Sequence, residues 1–184
     1  MFQTRLVDEF RTRFVEQAGN IHFAKSAEEA ARIANSIARK LGKGRMCCAS
    51  FTLCGKEFET LIDVDLPFEK LTSGDSLKEL ESIDIGVTLS DAAISQTGSL
   101  VEISNSDNYK LLSSISRIHI TILDSANILA NLSDLAPKIR SVLSSGKKPN
   151  ITLIGGPSRT SDIEMKSVLG VHGPHEVHVI IVEQ

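Results

Sequence analysis

The chain has 184 residues, the size of one ordinary domain. Hydrophobic residues make up 41% and charged residues 23% of it, a balance typical of a packed globular protein rather than a disordered one. The net charge of -3, the absence of tryptophan and the single tyrosine give no basic or aromatic surface of the kind that binds nucleic acid. We therefore expect a single domain over residues 1–184 and no nucleic-acid partner.

The sequence contains no apolar run of the ~20 residues that a membrane-spanning helix needs. Its first residues are charged throughout and lack the apolar centre of a signal peptide, so we expect no membrane partner and a cytoplasmic location. Cys47, Cys48 and Cys54 form neither a C-x-x-C pair nor an even disulfide set. We interpret them as reduced core residues, and we expect no iron–sulfur cluster in this chain. No other cofactor is identified by the sequence.

The first predicted element is an amphipathic helix within residues 1–18. Phe2, Leu6, Phe10 and Phe14 recur at steps of four, with charged residues between them. Gly19 is a typical helix end. The phenylalanine face has two interpretations that the sequence leaves open: it packs on the chain's own domain, or it is a docking element for a partner.

Strands and helices alternate along the rest of the chain. A capping box of Ser26 and Glu29 predicts a second helix that ends at Gly42, and an apolar periodicity from Leu132 to Leu143 predicts a third. Strands are predicted at residues 21–25, 45–51, 60–66, 83–104, 117–123, 150–156 and 176–184. This alternation indicates an α/β fold with a largely parallel sheet flanked by helices.

Ligands in such sheets bind beyond the carboxyl ends of the strands. Three segments that follow predicted strand ends are therefore candidate binding loops: residues 96–99, 105–110 and 155–162. The third carries Gly155 and Gly156, which let a backbone approach a ligand closely, and Arg159, which can bind a carboxylate or phosphate. Ser161 and Glu164 form a second capping box, so we expect a helix to begin at Asp162.

The same loop has a purely structural interpretation, a capped turn with a surface arginine, and spacing alone does not choose between the two. Asp162 would partly neutralise an anion site, and it would instead orient Arg159 or act as a base. Thr97, Gly98 and Ser99 line a polar pocket or form an ordinary hairpin turn.

His172 is the histidine that we place in a pocket, as a hydrogen-bond donor or general acid and base. His175 and His178 would diverge on a strand, so we predict no metal site there. Glu102 is a candidate carboxylate nucleophile, although a single strand glutamate is more often a surface residue.

Two segments, SDAAISQTGSLVEIS and GPSRTSDIEMKSVLGVHGPHEVHVIIVEQ, resemble the LUD domain family and specifically its lactate utilization protein C type. The resemblance covers residues 84–184 well. The matching positions of the first segment are Asp91, Ala92, Ile94, Thr97, Gly98 and Leu100. Those of the second are Gly156, Pro157, Ser158, Arg159, Thr160, Asp162, Ile163, Glu164, Gly170, Val171, His172, Gly173 and Pro174.

The resemblance implies a three-layer α/β fold like that of glucosamine-phosphate deaminase, ribose-phosphate isomerase and CoA transferases. It also implies a role in the oxidation of lactate to pyruvate beside separate iron–sulfur subunits. With it, we expect Asp162 and His172 to be catalytic. The expected ligand-binding residues, for a small anion, are Thr97, Gly98, Ser99, Gly156, Ser158, Arg159, Thr160 and Gly173.

Three functional hypotheses follow from the residues and the resemblance. The first is a non-redox subunit or accessory protein of lactate utilization. The second is a stand-alone enzyme of the isomerase, CoA transferase and folate cyclo-ligase superfamily. The third is a scaffold or regulatory module that binds partners through the Phe2–Phe14 face. The sequence leaves the ligand and homo-oligomerisation open.

Overall fold

The computed structural model describes residues 2–41, 44–62, 68–70, 81–144, 146, 148–161, 167–169 and 173–183. This part of the chain contains the helices α1 (Phe2–Glu16), α2 (Ala27–Leu41), α3 (Asp107–Ile115) and α4 (Ala136–Ser144). Short 3-10 helices lie at Phe58–Leu61, Ser125–Asn127 and Leu132–Leu135. None of the helices in these ranges is long and apolar enough to cross a bilayer.

The strands are numbered in chain order. They are β1 (Asn20–Ala24), β2 (Met46–Cys48), β3 (Thr52–Leu53), β4 (Lys56–Glu57), β5 (Phe68–Lys70), β6 (Ile85–Ser90), β7 (Ala92–Ile94), β8 (Ser99–Ser104), β9 (Ile118–Asp124), β10 (Ile128–Leu129), β11 (Asn150–Ile154), β12 (Arg159–Ser161), β13 (Ser167–Leu169) and β14 (Glu176–Val182).

Within the described residues, the central sheet has six strands in the order β1-β14-β9-β6-β2-β5, and every neighbouring pair is parallel. β9 and β14 are buried along almost their whole length. Nearly continuous apolar strands such as these suit a parallel sheet that is covered on both faces. The predicted α/β fold with a largely parallel sheet flanked by helices is therefore confirmed.

One face of the central sheet is covered by α2. The helix begins as predicted, since the amide of Glu29 donates to Ser26 Oγ at 3.2 Å, and the Glu29 carboxylate accepts from the Lys25 amide at 2.8 Å. Small alanines on α2 allow the helix to lie close to the strands, where Ile120, Ile122 and other side chains of the sheet fill the space beneath it.

The opposite face of the sheet is covered by α1. Leu6, Phe10 and Phe14 are buried, and the two phenylalanine rings stack with their centroids 5.4 Å apart. They pack with Val179 and Ile181 of β14. The docking interpretation of this face is therefore wrong for these three side chains, because they form part of the chain's own core.

A second sheet, which the sequence analysis did not predict, lies on the α1 side of the molecule. Its order is β10-β7-β8-β11. β8 pairs antiparallel with both β7 and β11, and β10 pairs parallel with β7. Residues 83–104, predicted as one β-like region, thus divide between the two sheets. The outer face of the second sheet packs against Leu135 and Ile139.

Two smaller predictions need correction. Residues 60–66 were predicted as a strand, but Thr60 and Leu61 belong to a 3-10 helix, and residues 63–67 lie outside the described part of the chain. Cys47 and Cys48 are buried core residues as expected, whereas Cys54 is exposed in the turn between β3 and β4.

Truncation of Phe10 to alanine tests the position of α1. We expect Phe10→Ala to lower the free energy of unfolding by about 3–5 kcal/mol, because a fully buried ring leaves a cavity that the core cannot close. Urea denaturation measures the change. Val15→Ala is the control on the same helix, since Val15 is 54% exposed, and it should change stability by about 0.5 kcal/mol or less. Equal small effects would contradict the packing described for α1.

Candidate functional site

The two ends of the C-terminal motif meet in space. β12 and β13 form an antiparallel hairpin in which Arg159 pairs with Leu169. Just before it, the amide of Ser158 donates to the carbonyl of Pro174 at 2.9 Å. A methyl group added at Gly173 would lie 3.1 Å from Ser158 Cβ, so glycine allows this close approach. The structure thus brings the ligand-binding candidates Ser158 and Gly173 together.

Gly98 and Gly156 meet at the end of α1. The side-chain amide of Gln17 donates to the Thr97 carbonyl at 2.8 Å, and a methyl group on Gly98 would lie 2.6 Å from Arg13 Cβ. A methyl group on Gly156 would lie 2.6 Å from the Gln17 carbonyl oxygen. Both glycines have positive φ, 64° and 117°. Their conformations and small size are therefore needed for contact with α1, whatever else they bind.

Thr97 and Ser99 lie at the turn that joins β7 to β8. The Thr97 hydroxyl donates to Ser99 Oγ at 3.0 Å, and the Gly98 amide donates to the Ile94 carbonyl at 2.9 Å. This is an antiparallel hairpin turn, which is the structural alternative that the sequence left open.

The motif lies at the amino edge of the central sheet, not at the carboxyl edge where ligands were expected. The amide of His175 donates to the carbonyl of Arg117, at 2.8 Å, immediately before β9 and β14 begin. The expectation was wrong because β11, the strand before the loop, belongs to the second sheet and runs antiparallel to β8. The rule for parallel strands therefore does not apply to it.

Several predicted site residues fall where the structure gives no side-chain description. Asp162 and His172 lie outside the described residues, and Arg159 and Thr160 are described only as backbone of β12. The helix expected to begin at Asp162 does not extend through β13, because Ser167 pairs with Ser161 in an antiparallel hairpin. The predicted roles of these residues remain predictions.

A buried polar cluster lies between the two sheets. Glu102 of β8 is 2% exposed, so the expectation that it is a surface residue is wrong. Thr88 Oγ1 donates to Glu102 Oε1 at 2.5 Å and lies 2.7 Å from His119 Nε2. His119 Nε2 is 3.3 Å from the same Glu102 oxygen. The three side chains thus form one hydrogen-bonded unit inside the core.

Two atoms of this cluster lack a hydrogen-bond partner within the part of the chain that is described. They are Glu102 Oε2 and His119 Nδ1, and both are fully buried. Unpartnered buried polar atoms are uncommon and costly, so the cluster is a place where a further polar group would be stabilising.

The negative charge of Glu102 contributes to raising the pKa of two neighbouring groups, Tyr109 and Asp91. Burial raises the pKa of the Tyr109 hydroxyl well above its usual value, and the charge of Glu102 adds to the effect. Tyr109 is held by the backbone of Leu89, whose amide donates to its oxygen at 2.6 Å. Burial also raises the pKa of Asp91, although the amide of Ile103 donates to its carboxylate at 2.7 Å.

His119 and Thr88 were not identified from the sequence. Both lie in buried strands, and the signal for them was a polar side chain at alternate positions, Thr88 and Ser90 on β6 and His119 and Thr121 on β9. That alternation marks the sheet face that meets the second sheet. The strand pairing that places Gly86 opposite His119 is not visible in one sequence.

No group of three or more histidine, cysteine or acidic side chains is placed to hold a metal ion in the described ranges. His175 is exposed and His178 is buried, so these two histidines diverge as predicted. An open cavity of about 530 Å³ lies at the carboxyl edge, between α1 and the ends of β1 and β14. Among the described residues its lining includes Asp8, Arg11 and Phe23, and Glu183 from the end of the second matching segment.

Substitution of Gly98 tests the contact with α1. Gly98→Ala places a side chain at positive φ and against the backbone of Arg13, whereas Gly55→Ala has a similar φ of 74° with open space around it. We expect both variants to lose about 1 kcal/mol from the backbone conformation, and Gly98→Ala to lose at least about 1 kcal/mol more from the clash. Thermal and urea denaturation measure both. Equal losses would contradict the close contact.

The chain matches the LUD domain family over residues 7–182. It is 33% identical over 109 residues to Lactate utilization protein C of Shouchella clausii, covering 59% of this chain and 48% of that protein. It is 31% identical over 110 residues to Lactate utilization protein C of Bacillus subtilis, covering 59% of this chain and 46% of the relative. The matched part thus spans about half the length of these curated relatives.

A solved structure supports the fold. The crystal structure of a DUF162 family protein from Deinococcus radiodurans superposes with a TM-score of 0.71 and covers 98% of both chains, at 21% sequence identity. At that identity the likeness concerns the fold alone. Since the family match runs through both sheets and the C-terminal motif, the chain belongs to the LUD domain family.

Proposed function

We propose that this chain is a non-redox subunit or accessory protein of lactate utilization, and that it binds a small anionic ligand at the amino edge of the central sheet. The observation that carries the proposal is the family match across residues 7–182, together with relatives whose names assign them to lactate utilization. Fold alone does not determine function, so the site has to carry the rest of the argument.

Support for a binding role comes from the convergence of separate motif segments. Ser158 contacts the segment of Gly173 and Pro174, and Gly98 and Gly156 contact the same end of α1. Arg159 lies on β12 of the β12–β13 hairpin, whose strands pair antiparallel. A guanidinium on such a hairpin binds a carboxylate with two parallel hydrogen bonds.

The oxidation itself belongs, in this proposal, to separate iron–sulfur subunits. Cys47 and Cys48 are buried neighbours on β2, where successive side chains point to opposite faces, and Cys54 lies in the exposed β3–β4 turn. This arrangement is unlike the four convergent thiolates that hold an iron–sulfur cluster. The chain would supply ligand binding, and its partners would carry the electrons.

Replacement of Arg159 tests the anion site. The assay is lactate-dependent dye reduction by a complex reconstituted from this chain and the iron–sulfur subunits of its lactate-oxidising system. We expect Arg159→Ala to lower the rate at least about tenfold, because a charge-assisted contact contributes roughly 1.5–3 kcal/mol. Arg159→Lys should be intermediate, since it keeps the charge and loses the paired hydrogen bonds.

The matched control is Arg140→Ala. Arg140 lies on an exposed face of α4, and its loss should leave the rate unchanged. A reconstituted system whose rate is the same with and without this chain would contradict the proposed function. A rate that needs the chain but not Arg159 would contradict only the assignment of the anion site.

A second candidate function, a stand-alone enzyme, is favoured by the Glu102 cluster. A buried carboxylate beside Thr88 and His119 has the composition of an acid–base site. Glu102 is buried away from bulk water. In such low-dielectric surroundings a carboxylate charge interacts strongly with its neighbours. A reacting group would need access between the two sheets.

Assays of the isolated chain test this second candidate. The substrates are sugar phosphates, acyl-CoA thioesters and folates, and the variant is Glu102→Gln, which keeps the side-chain shape. If Glu102 exchanges a proton in the reaction, we expect the variant to lose at least about 100-fold in rate. Glu57→Gln is the exposed control on β4. If the isolated chain turns over none of these substrates, the second candidate function is contradicted.

A further inference from the structure

Two histidines from neighbouring strands face each other beneath α2. His22 of β1 and His178 of β14 stack with their ring centroids 5.3 Å apart, and His22 Nε2 lies 3.0 Å from His178 Nδ1. The other nitrogen of His178, Nε2, lies 2.9 Å from a carboxylate oxygen of Glu176. The three side chains form a continuous hydrogen-bonded chain from Glu176 to His22.

The carboxylate determines which nitrogen carries each proton. A carboxylate only accepts, so His178 Nε2–H donates to Glu176. In a neutral imidazole the second nitrogen then accepts, and His178 Nδ1 receives the Nε2–H of His22. His22 is thereby left with the lone pair on Nδ1. This series of hydrogen bonds therefore ends at His22 Nδ1, which can accept a proton or a hydrogen bond.

Burial favours the neutral form of both rings. Burial lowers the pKa of His22 below its usual value, and the nearby His178 and Lys40 add to the effect. Burial also lowers the pKa of His178, opposed by its hydrogen bond with Glu176. A neutral imidazole with a defined tautomer is the form that acts as a base or as a hydrogen-bond acceptor.

A cavity of about 230 Å³ opens beside these three hydrogen-bonded side chains. Among the described residues, its walls combine these three side chains with the Lys40 ammonium group and an apolar side. The lining residues are His22, Ile37, Lys40, Leu41, Ile118, Glu176 and His178. The volume is below the 300–1,000 Å³ of pockets for drug-sized ligands, which restricts the occupant to a small molecule.

The cavity lies close to the described end of the C-terminal motif, Gly173-Pro174. Glu176 follows Gly173-Pro174-His175 directly, and Ile118 follows Arg117, whose carbonyl accepts from the His175 amide. The cavity thus lies at the same amino edge of the sheet as the motif. The end of the motif and the histidine pair are held by one short stretch of backbone.

We infer that this cavity binds a small hydroxy acid, with the carboxylate on Lys40, the hydroxyl donating to His22, and the short alkyl group against Ile37, Leu41 and Ile118. Within the described residues, the cavity offers the Lys40 cation, a neutral acceptor and an apolar wall, which are complementary to these three parts of a hydroxy acid, and its own carboxylate, Glu176, is engaged by His178. The inference rests on the proposed function for the choice of lactate as the probe.

The experiment is a titration of the full chain, labelled with ¹⁵N-histidine, followed by NMR of the ring nitrogens. The probes are L-lactate and propionate, which differ only in the hydroxyl group. We expect lactate to shift the signals of His22 and His178 saturably, and propionate to bind at least tenfold more weakly because it leaves the His22 acceptor without its donor. Equal affinity for the two acids overturns the assignment of the hydroxyl to His22.

Lys40→Gln tests the carboxylate contact without disturbing the buried pair, because Lys40 is exposed. We expect it to weaken lactate binding at least tenfold, and the exposed control Lys148→Gln to leave it unchanged. Unshifted histidine signals at saturating lactate, or equal loss in the two lysine variants, overturn the inference. The ring spectra also show directly whether each variant is folded.

Failure here and failure of the proposed function are distinguishable. Lactate binding that is weakened by Arg159→Ala, but that does not shift the signals of His22 and His178, would show that this cavity is not the site. The proposed function would still stand. Lactate that shifts His22 and His178 while the reconstituted oxidation does not need this chain overturns the proposed function, and supports the cavity as a hydroxy-acid site.

Discussion

The close contact between the end of α1 and two glycine turns is the constraint on which the arrangement of the two sheets depends. Gln17 contacts Thr97 of one turn and Gly156 of the other, so one residue joins the β7–β8 hairpin to the segment that follows β11. Any side chain at Gly98 would meet the helix backbone. Because α1 also buries Phe10 and Phe14, the position of the second sheet is tied to the core.

Polar packing in the central sheet is concentrated where one face meets the second sheet, at Thr88, Ser90, His119 and Thr121. The α2 face is filled largely by alanine, isoleucine and valine, apart from the pair of His22 and His178. Glu102 completes that polar layer with a short hydrogen bond from Thr88. The contacts of Glu102 with Thr88 and His119 offset part of the cost of burying a carboxylate at 2% exposure.

Local sequence patterns predicted the main helices and the long strands, whereas the second sheet and the hairpins depend on pairing between distant residues. The helix periodicity of residues 2–14, the Ser26 cap and the apolar strands at residues 117–123 and 176–184 were sufficient for α1, α2, β9 and β14. The second sheet was not predictable, since its strands are as short as two residues and its order depends on turns such as Gly98. β12 and β13 were likewise not predicted, because their pairing depends on contacts between strands rather than on a local pattern.

The candidate site was only partly predictable, for the same reason. The glycines and hydroxyls of the motif were visible, but the edge of the sheet on which they lie depends on β11 pairing with β8. The contact of His22 with His178 joins residues 156 positions apart, and only the parallel pairing of β1 with β14 brings them together. At the amino edge, the motif lies beside the histidine pair. A ligand held there would therefore meet both the end of α2 and the start of β14.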